Sequence, residues 1–357
     1  MSAVEKVISS GESNTGTTAA AVDHGPRKRW WRRSGTNKRT FKYFDAAGNR
    51  LSDKDTLARI DSLVIPPAWK DVRIAPSQRS AVQAVGVDKL GRIQYLYSQR
   101  FRARQEKKKY AKLEKFGEVL PSLRSATNEH ISGSSLTRER VLAVIVRLIN
   151  DLYFRLGSEK SVKRYRTYGV TTLRNRHLEI KRGGKLCFSF VGKHHIKHRF
   201  VVVDKELAAL VREIKEIGGS RLFNYFDADG KPRPITPRDV NEYIKAATSN
   251  EFSAKDFRTW GGTLKMAVEL AELGRPESER EAKTKIVKAV KRVSEYLGNT
   301  PAVCRSSYVH PIVIENFQKG ITIDQFRRRA ERAISRIQPE YEIEEVALIK
   351  LLKGGKA

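Results

Sequence analysis

The chain has 357 residues, 39% of them hydrophobic, and its 70 Lys and Arg outnumber its 40 Asp and Glu, which gives a net charge of +30. This length suggests two domains, since single domains usually hold ~100–200 residues. The longest apolar runs are far shorter than the ~20 residues that span a bilayer, and the N-terminus lacks the pattern of a secretory signal. Two cysteines exclude a disulfide framework, and no classical zinc or P-loop motif occurs. The charge indicates a polyanionic partner, and we expect this polyanion to be nucleic acid.

The N-terminal part of the chain predicts a tail followed by a small mixed domain. Residues 1–25 are rich in Ser, Gly, Thr and Ala, and we predict that they are disordered. The basic segment 26–33 is either the end of this tail, with its two tryptophans packed on the first domain, or an arm that contacts phosphates. Residues 26–107 otherwise predict an antiparallel sheet with short helices. Its elements are strand-like residues from Arg39, a helix over 53–62, a strand after Pro66-Pro67, and strands over 82–87 and 92–97.

The C-terminal part, residues 108–357, predicts a larger and mainly helical domain. Residues 98–115 carry eight basic and two acidic side chains, which is typical of a solvated helix or linker at a domain boundary. A buried helix is expected from Thr137, and residues 177–203 predict a three-stranded meander. Further helices are predicted over 204–217, 237–248, 255–272, 277–297, 301–317, 322–336 and 341–353. The fold class is therefore α+β, with a β-rich first domain and a helical second domain.

Four local patterns in the second domain carry residues suited to chemistry on a polyanion. YFRLGSEK (153–160) places Arg155 after the buried helix, and FVGK (190–193) places Lys193 in a hairpin turn. KDFRTWGG (255–262) places Arg258 near the start of a long helix. LGNTPAVCRSSY (297–308) places Asn299 nine residues before Tyr308.

With these patterns, the chain resembles the type IB DNA topoisomerases, in particular the poxvirus-like and bacterial group. The resemblance covers nearly the whole chain after residue 28, and it includes IPPAWKDV (65–72) and GRIQYLYS (91–98) in the first domain. It implies a DNA clamp joined to a catalytic domain like that of tyrosine recombinases. It further implies a monomer on double-stranded DNA, in the bacterial cytoplasm and associated with the nucleoid. The implied catalytic set is Arg155, Lys193, Arg258, Asn299 and Tyr308.

The implied activity is relaxation of positive and negative supercoils through a 3′-phosphotyrosyl link to Tyr308, without a cofactor, a nucleotide or a required metal. A tyrosine hydroxyl has a pKa near ~10, so nearby guanidiniums are needed to favour the phenolate and to neutralise the phosphate oxygens. Arg155 and Arg258 are the candidates for this role. A lysine can protonate the leaving 5′-oxygen, and the resemblance assigns this role to Lys193. Asn299 stands where poxvirus enzymes usually carry histidine; an amide cannot become a cation, so we expect it to donate a hydrogen bond.

Further residues are candidates for DNA contact. Tyr95 and Tyr97 share one strand face, because side chains alternate with a period of two. They are either a core pair or, as the resemblance favours, a face in the major groove with Gln94 at a base edge. Lys163, Arg164 and Arg166 are either phosphate contacts or a solvated face.

Two other functions remain open, and a group of histidines raises the question of a metal site. A tyrosine recombinase shares the catalytic step, but recombinases tend to carry H-x-x-R where this chain has Lys255-Asp-Phe-Arg258. A non-enzymatic DNA-binding protein explains the charge but not the five-residue set. The histidines at 194, 195 and 198 are grouped like metal ligands, yet they have no Cys or carboxylate beside them, and we expect no metal.

Overall fold

The computed structural model describes residues 5–6, 25–37, 39–248, 251–327 and 342–354. These residues form two compact units divided between Tyr110 and Ala111, and Glu5–Lys6 (β1) belongs to the second unit. The boundary predicted after residue 107 lies close to this division. Most of the predicted tail over 1–25 lies outside the described residues, as does most of the helix predicted over 322–336.

The first unit contains a five-stranded antiparallel sheet, which confirms the predicted N-terminal sheet. Its strands are Trp31–Ser34 (β2), Lys42–Phe44 (β3), Lys70–Ile74 (β4), Val82–Val87 (β5) and Ile93–Tyr97 (β6), and they lie in the order β3-β2-β4-β5-β6. Helix Lys54–Ser62 (α1) begins where the Asp53 carboxylate accepts a hydrogen bond from the Thr56 amide. Trp31 packs against a small core around Ile60 and Ile74. The basic segment 26–33 therefore ends in a strand of the domain.

The charged run at 98–115 is the first half of a 34-residue helix, Gln99–Ser132 (α2). The charged turns alone predict a solvated helix or a linker. The helix continues because its later turns bury a stripe of side chains at spacings of three and four residues. This stripe consists of Leu113, Phe116, Leu120 and Leu123.

The second unit is mostly helical. Its helices after α2 are Arg138–Leu152 (α3), Glu159–Tyr165 (α4), Lys205–Glu216 (α5), Pro237–Ala247 (α6), Ala254–Glu272 (α7), Glu279–Leu297 (α8), Pro301–Tyr308 (α9), Pro311–Gln318 (α10) and Ile343–Leu352 (α11). Helix α3 begins at the Thr137 cap and is buried along most of its length, so it forms the centre of the core.

A four-stranded antiparallel sheet packs against these helices. Three of its strands, Leu178–Lys181 (β7), Lys185–Val191 (β8) and Lys197–Val203 (β9), follow one another in the chain. The fourth, β1, comes from the segment predicted to be a disordered tail, and the strand order is β1-β9-β8-β7. A separate hairpin joins Asn224–Phe226 (β10) to Pro232–Pro234 (β11). The turn between β8 and β9 carries exposed residues 193–195.

The single helix predicted over 301–317 is wrong, because the structure has two helices there. Helix α9 ends at Tyr308 and α10 begins at Pro311. Proline disfavours the helical conformation of the residue before it, and His310 is accordingly extended, with φ −69° and ψ 126°. The break places Tyr308 at the end of a short helix.

Candidate active site

Four of the five predicted catalytic residues line one cleft of the second unit, namely Arg155, Lys193, Arg258 and Tyr308. They come from the segment after α3, the β8–β9 turn, the first turns of α7 and the end of α9. Asn299, between α8 and α9, joins the group through a hydrogen bond to Arg155. The tertiary fold therefore brings together all five residues.

Arg258 is the most buried member, with 5% of its surface exposed. Its guanidinium donates hydrogen bonds to the Tyr153 carbonyl and, at 2.9 Å, to the Leu297 carbonyl. Burial, and then the charge of Arg155, lower the pKa of Arg258 to about 10. The group therefore remains a cation at neutral pH, and its two backbone partners hold it in one orientation.

Arg155 is half-buried and follows Tyr153, which ends α3 in the left-handed conformation with φ 51°. This reversal turns the chain into the cleft. The Arg155 guanidinium donates to the Asn299 side-chain oxygen and, at 3.4 Å, to the Gly298 carbonyl. Burial lowers the pKa of Arg155, and the phenol of Tyr308 partly offsets that effect.

Asn299 directly follows Gly298, which ends α8 in the left-handed conformation with φ 61°. The Asn299 amide nitrogen donates to the Ser294 carbonyl at 2.9 Å. Its side-chain oxygen is occupied by Arg155, whereas its buried Nδ2 has no hydrogen-bond partner within the described residues. This arrangement leaves the donor end of the amide for a ligand, because a buried donor without a partner is costly.

Tyr308 is half-buried, and the guanidinium carbon of Arg258 lies 5.0 Å from the centre of its ring. Burial alone would raise the pKa of the phenol. The charge of Arg258 and a hydrogen bond from it, followed by the charges of Arg155 and Lys255, outweigh burial, so the pKa lies below its ordinary value. A lower pKa increases the fraction of the nucleophilic phenolate at neutral pH.

The backbone at Tyr308 is held against α7. A Cβ added to Gly262 would lie 2.6 Å from the Tyr308 carbonyl oxygen and 3.0 Å from its Cβ, so only glycine permits this approach. The His310 amide also donates to the Thr263 hydroxyl at 3.1 Å. These contacts fix the end of α9 beside Arg258.

Lys255 was not among the predicted site residues, although it lines the cleft and lowers the pKa of Tyr308. Its position three residues before Arg258 was the available signal, since side chains at that spacing share a helix face.

Lys193 is exposed in the β8–β9 turn, and its neighbour Gly192 donates through its amide to the Ile196 carbonyl at 2.8 Å.

Of the three candidate DNA contacts in the first unit, only the two tyrosines share a face of the sheet. Tyr95 and Tyr97 are 39% and 38% exposed on one face of β6, so they are not a core pair, and their ring centres are 6.2 Å apart. The Arg27 guanidinium lies 5.3 Å from the centre of the Tyr95 ring. Gln94 is half-buried, and its amide donates to the Asp88 carboxylate at 2.9 Å. The structure therefore does not place Gln94 with the tyrosines.

Lys163, Arg164 and Arg166 form an exposed basic group at the end of α4. The His195 ring Nε2 lies 3.1 Å from the Tyr165 carbonyl oxygen, which ties the Lys193 turn to this group.

Of the three histidines considered as metal ligands, His198 instead points into the core. Across the described ranges, no group of three His, Cys, Asp or Glu residues could hold a metal ion. The described helices are each too short or too polar to cross a lipid bilayer.

Two models of known protein families match this chain. The model of the eukaryotic DNA topoisomerase I catalytic core matches residues 98–335, and that of the bacterial DNA topoisomerase IB N-terminal domain matches residues 40–88. DNA topoisomerase 1B of Acanthamoeba polyphaga mimivirus is 30% identical over 297 residues, which cover 81% of this chain and 88% of the viral protein. DNA topoisomerase 1B of vaccinia virus (strain Copenhagen) is 25% identical over 233 residues, covering 65% and 71%.

The first of these matches covers more than half of the chain and contains the whole candidate site. The second falls within the first unit, which carries the sheet. The chain therefore belongs to the type IB DNA topoisomerase family.

Proposed function

We propose that the protein relaxes positive and negative supercoils in duplex DNA by cutting and resealing one strand through Tyr308. The observation that carries this proposal is the Tyr308 phenol beside the tethered guanidinium of Arg258, with Arg155 and Lys255 nearby. This arrangement lowers the pKa of the nucleophile and concentrates positive charge where a phosphodiester would lie.

In the cleavage step, the Tyr308 oxygen attacks the phosphorus and the bond from phosphorus to the 5′-oxygen breaks. The phenolic proton passes to solvent, and the Lys193 ammonium gives a proton to the departing 5′-oxygen. The products are a 3′-phosphotyrosyl link and a free 5′-hydroxyl. Arg155 and Arg258 contact the non-bridging oxygens, and the free Nδ2 of Asn299 donates to one of them.

The cut strand then rotates, and the 5′-hydroxyl attacks the phosphotyrosyl link to reseal it. The link keeps the energy of the broken bond, so the cycle needs no ATP, and the cationic side chains replace a metal. Tyr95, Tyr97 and the basic group at the end of α4 would hold the duplex. The protein would act as a monomer on DNA of the bacterial nucleoid, with a recombinase-like catalytic domain.

Relaxation of a supercoiled plasmid in chelator and without ATP tests this function. We expect complete relaxation and a protein–DNA adduct that persists in denaturant. Site-specific exchange between two duplexes without relaxation would instead identify a recombinase. Binding without relaxation, exchange or adduct would identify a non-enzymatic DNA-binding protein.

A further inference from the structure

A buried histidine outside the proposed catalytic set lies beside the cleft. His198 on β9 is 5% exposed, and the centres of the Phe190 and Phe200 rings lie 5.2 and 5.6 Å from the centre of its imidazole. The other buried side chains of β8 and β9 are apolar. Burial of an imidazole on such a face costs hydration, whereas an apolar side chain would fill the same space without that cost. Core packing therefore does not by itself explain why residue 198 is a histidine.

The imidazole occupies the space that a side chain would need at two glycines. A Cβ on Gly192 would lie 2.5 Å from its Cδ2 and Nε2 atoms, and a Cβ on Gly298 would lie 2.4 Å from its Cε1 atom. Gly192 has φ −94° and ψ −169°, a conformation that other residues adopt. At that position, the neighbouring imidazole is therefore what requires glycine.

Each of these glycines directly precedes a proposed site residue. Gly192 precedes Lys193 in the β8–β9 turn, and Gly298 precedes Asn299 after α8. The two segments are distant in sequence, yet the same ring contacts both. His198 also lines the cavity that contains Arg155 and Arg258.

We propose that His198 is a positioning residue that sets the separation between Lys193 and Asn299 across the scissile phosphodiester. This inference rests on the proposed function. The imidazole exchanges no proton with the DNA; it acts as a spacer between the two backbone segments. Without it, the turn that carries Lys193 can move towards Gly298, which takes the ammonium away from the 5′-oxygen.

Single-turnover cleavage of two matched duplexes tests the inference, one with an ordinary 5′-oxygen and one with a 5′-sulfur at the scissile bond. Sulfur leaves without protonation, so it bypasses Lys193. We expect His198→Ala to cleave the oxygen duplex at least about tenfold more slowly, since small misplacements at a reacting centre cost this much or more. The defect should be several-fold smaller on the sulfur duplex, and the Kd for DNA should stay within about twofold.

Gly192→Ala supplies the reciprocal test. Alone, its methyl group collides with the imidazole and should slow cleavage; combined with His198→Ala, it refills part of the vacated space. The double variant should therefore cleave no more slowly than His198→Ala.

His130→Ala is the matched control, because it removes a part-buried imidazole that is hydrogen-bonded to the Tyr243 hydroxyl. His198→Gln provides a second variant if His198→Ala unfolds at the assay temperature.

Three results would overturn the inference: wild-type cleavage by His198→Ala, an equal defect on both duplexes, or multiplied defects in the double variant. A wild-type protein that forms no adduct would refute the proposed function itself. Adduct formation by the wild type together with any of the three results would refute only the role of His198.

Discussion

Arg155 and Asn299, 144 residues apart in the chain, are joined by a hydrogen bond from the guanidinium to the side-chain oxygen of the amide. This bond sets the orientation of the amide, because the oxygen faces the arginine and the nitrogen must face away from it. The Nδ2 group is buried and has no partner in the described part of the chain. The proposed function gives this neutral donor a ligand, a non-bridging oxygen of the phosphodiester.

Replacing Tyr308 by phenylalanine should abolish the covalent adduct, because the phenyl ring keeps the packing but has no nucleophilic oxygen. Affinity for DNA should stay within about twofold, since phosphate contacts supply most of it. Adduct formation on a denaturing gel and a filter-binding titration measure the two quantities. Tyr225→Phe, which removes a hydroxyl in β10, is the control. An undiminished adduct in Tyr308→Phe would place the nucleophile elsewhere.

Replacing Lys193 by alanine should slow cleavage of an ordinary duplex by about 10²–10⁴-fold, the usual contribution of a general acid. A 5′-sulfur at the scissile bond should restore most of the lost rate, because the thiolate leaves without a proton. Single-turnover cleavage of both duplexes measures this. Lys197→Ala, which removes a nearby exposed lysine of β9, should behave as wild type. An equal defect on both duplexes would argue against proton donation by Lys193.

The Tyr308 phenol should ionise below its ordinary pKa of ~10, because Arg258, Arg155 and Lys255 outweigh the opposing effect of burial. The phenolate fraction, and with it cleavage of the 5′-sulfur duplex, should rise with pH to a plateau, with a midpoint below pH 10. The difference in tyrosinate absorbance between wild type and Tyr308→Phe measures this pKa directly.

The same titration in Arg258→Gln tests the cause of the shift. With the buried cation removed, burial still raises the pKa, so the midpoint should move upwards and the rate plateau should move with it. Arg238→Gln, which removes an exposed cation on α6, is the control and should leave the midpoint in place. An unchanged midpoint in Arg258→Gln would show that this guanidinium does not activate the phenol.

Replacing Gly262 by alanine should displace the end of α9, because the new Cβ would lie 2.6 Å from the Tyr308 carbonyl oxygen. We expect a loss of about 1–3 kcal/mol in the free energy of unfolding, as for other overpacked sites. Cleavage should slow by about 10²-fold, since the phenol moves away from Arg258. Urea denaturation and single-turnover cleavage measure these effects.

Gly133→Ala is the matched control for this substitution, because its nearest neighbour beyond the adjacent residues is a carbonyl oxygen 3.4 Å from the added Cβ. Full cleavage activity in Gly262→Ala would mean that the end of α9 does not depend on this close approach.

The sequence determined much of this protein through local rules. Caps such as Thr137 and Thr236-Pro237 locate helix starts, and the turn signal DKLG (88–91) separates β5 from β6. Four short motifs carry the catalytic set that the family resemblance implies. Pro311 also predicts the break after Tyr308. The spacing of the apolar residues hides this signal, because the same spacing continues across both helices.

The tertiary structure alone decided how these segments meet. The bond between Arg155 and Asn299 and the contact of His198 with Gly298 depend on where distant backbones cross. Spacing along a sequence specifies one helix or strand at a time. The distances that lower the pKa of the Tyr308 phenol are set by the packing of α7 against α8 and α9, and no single segment contains them.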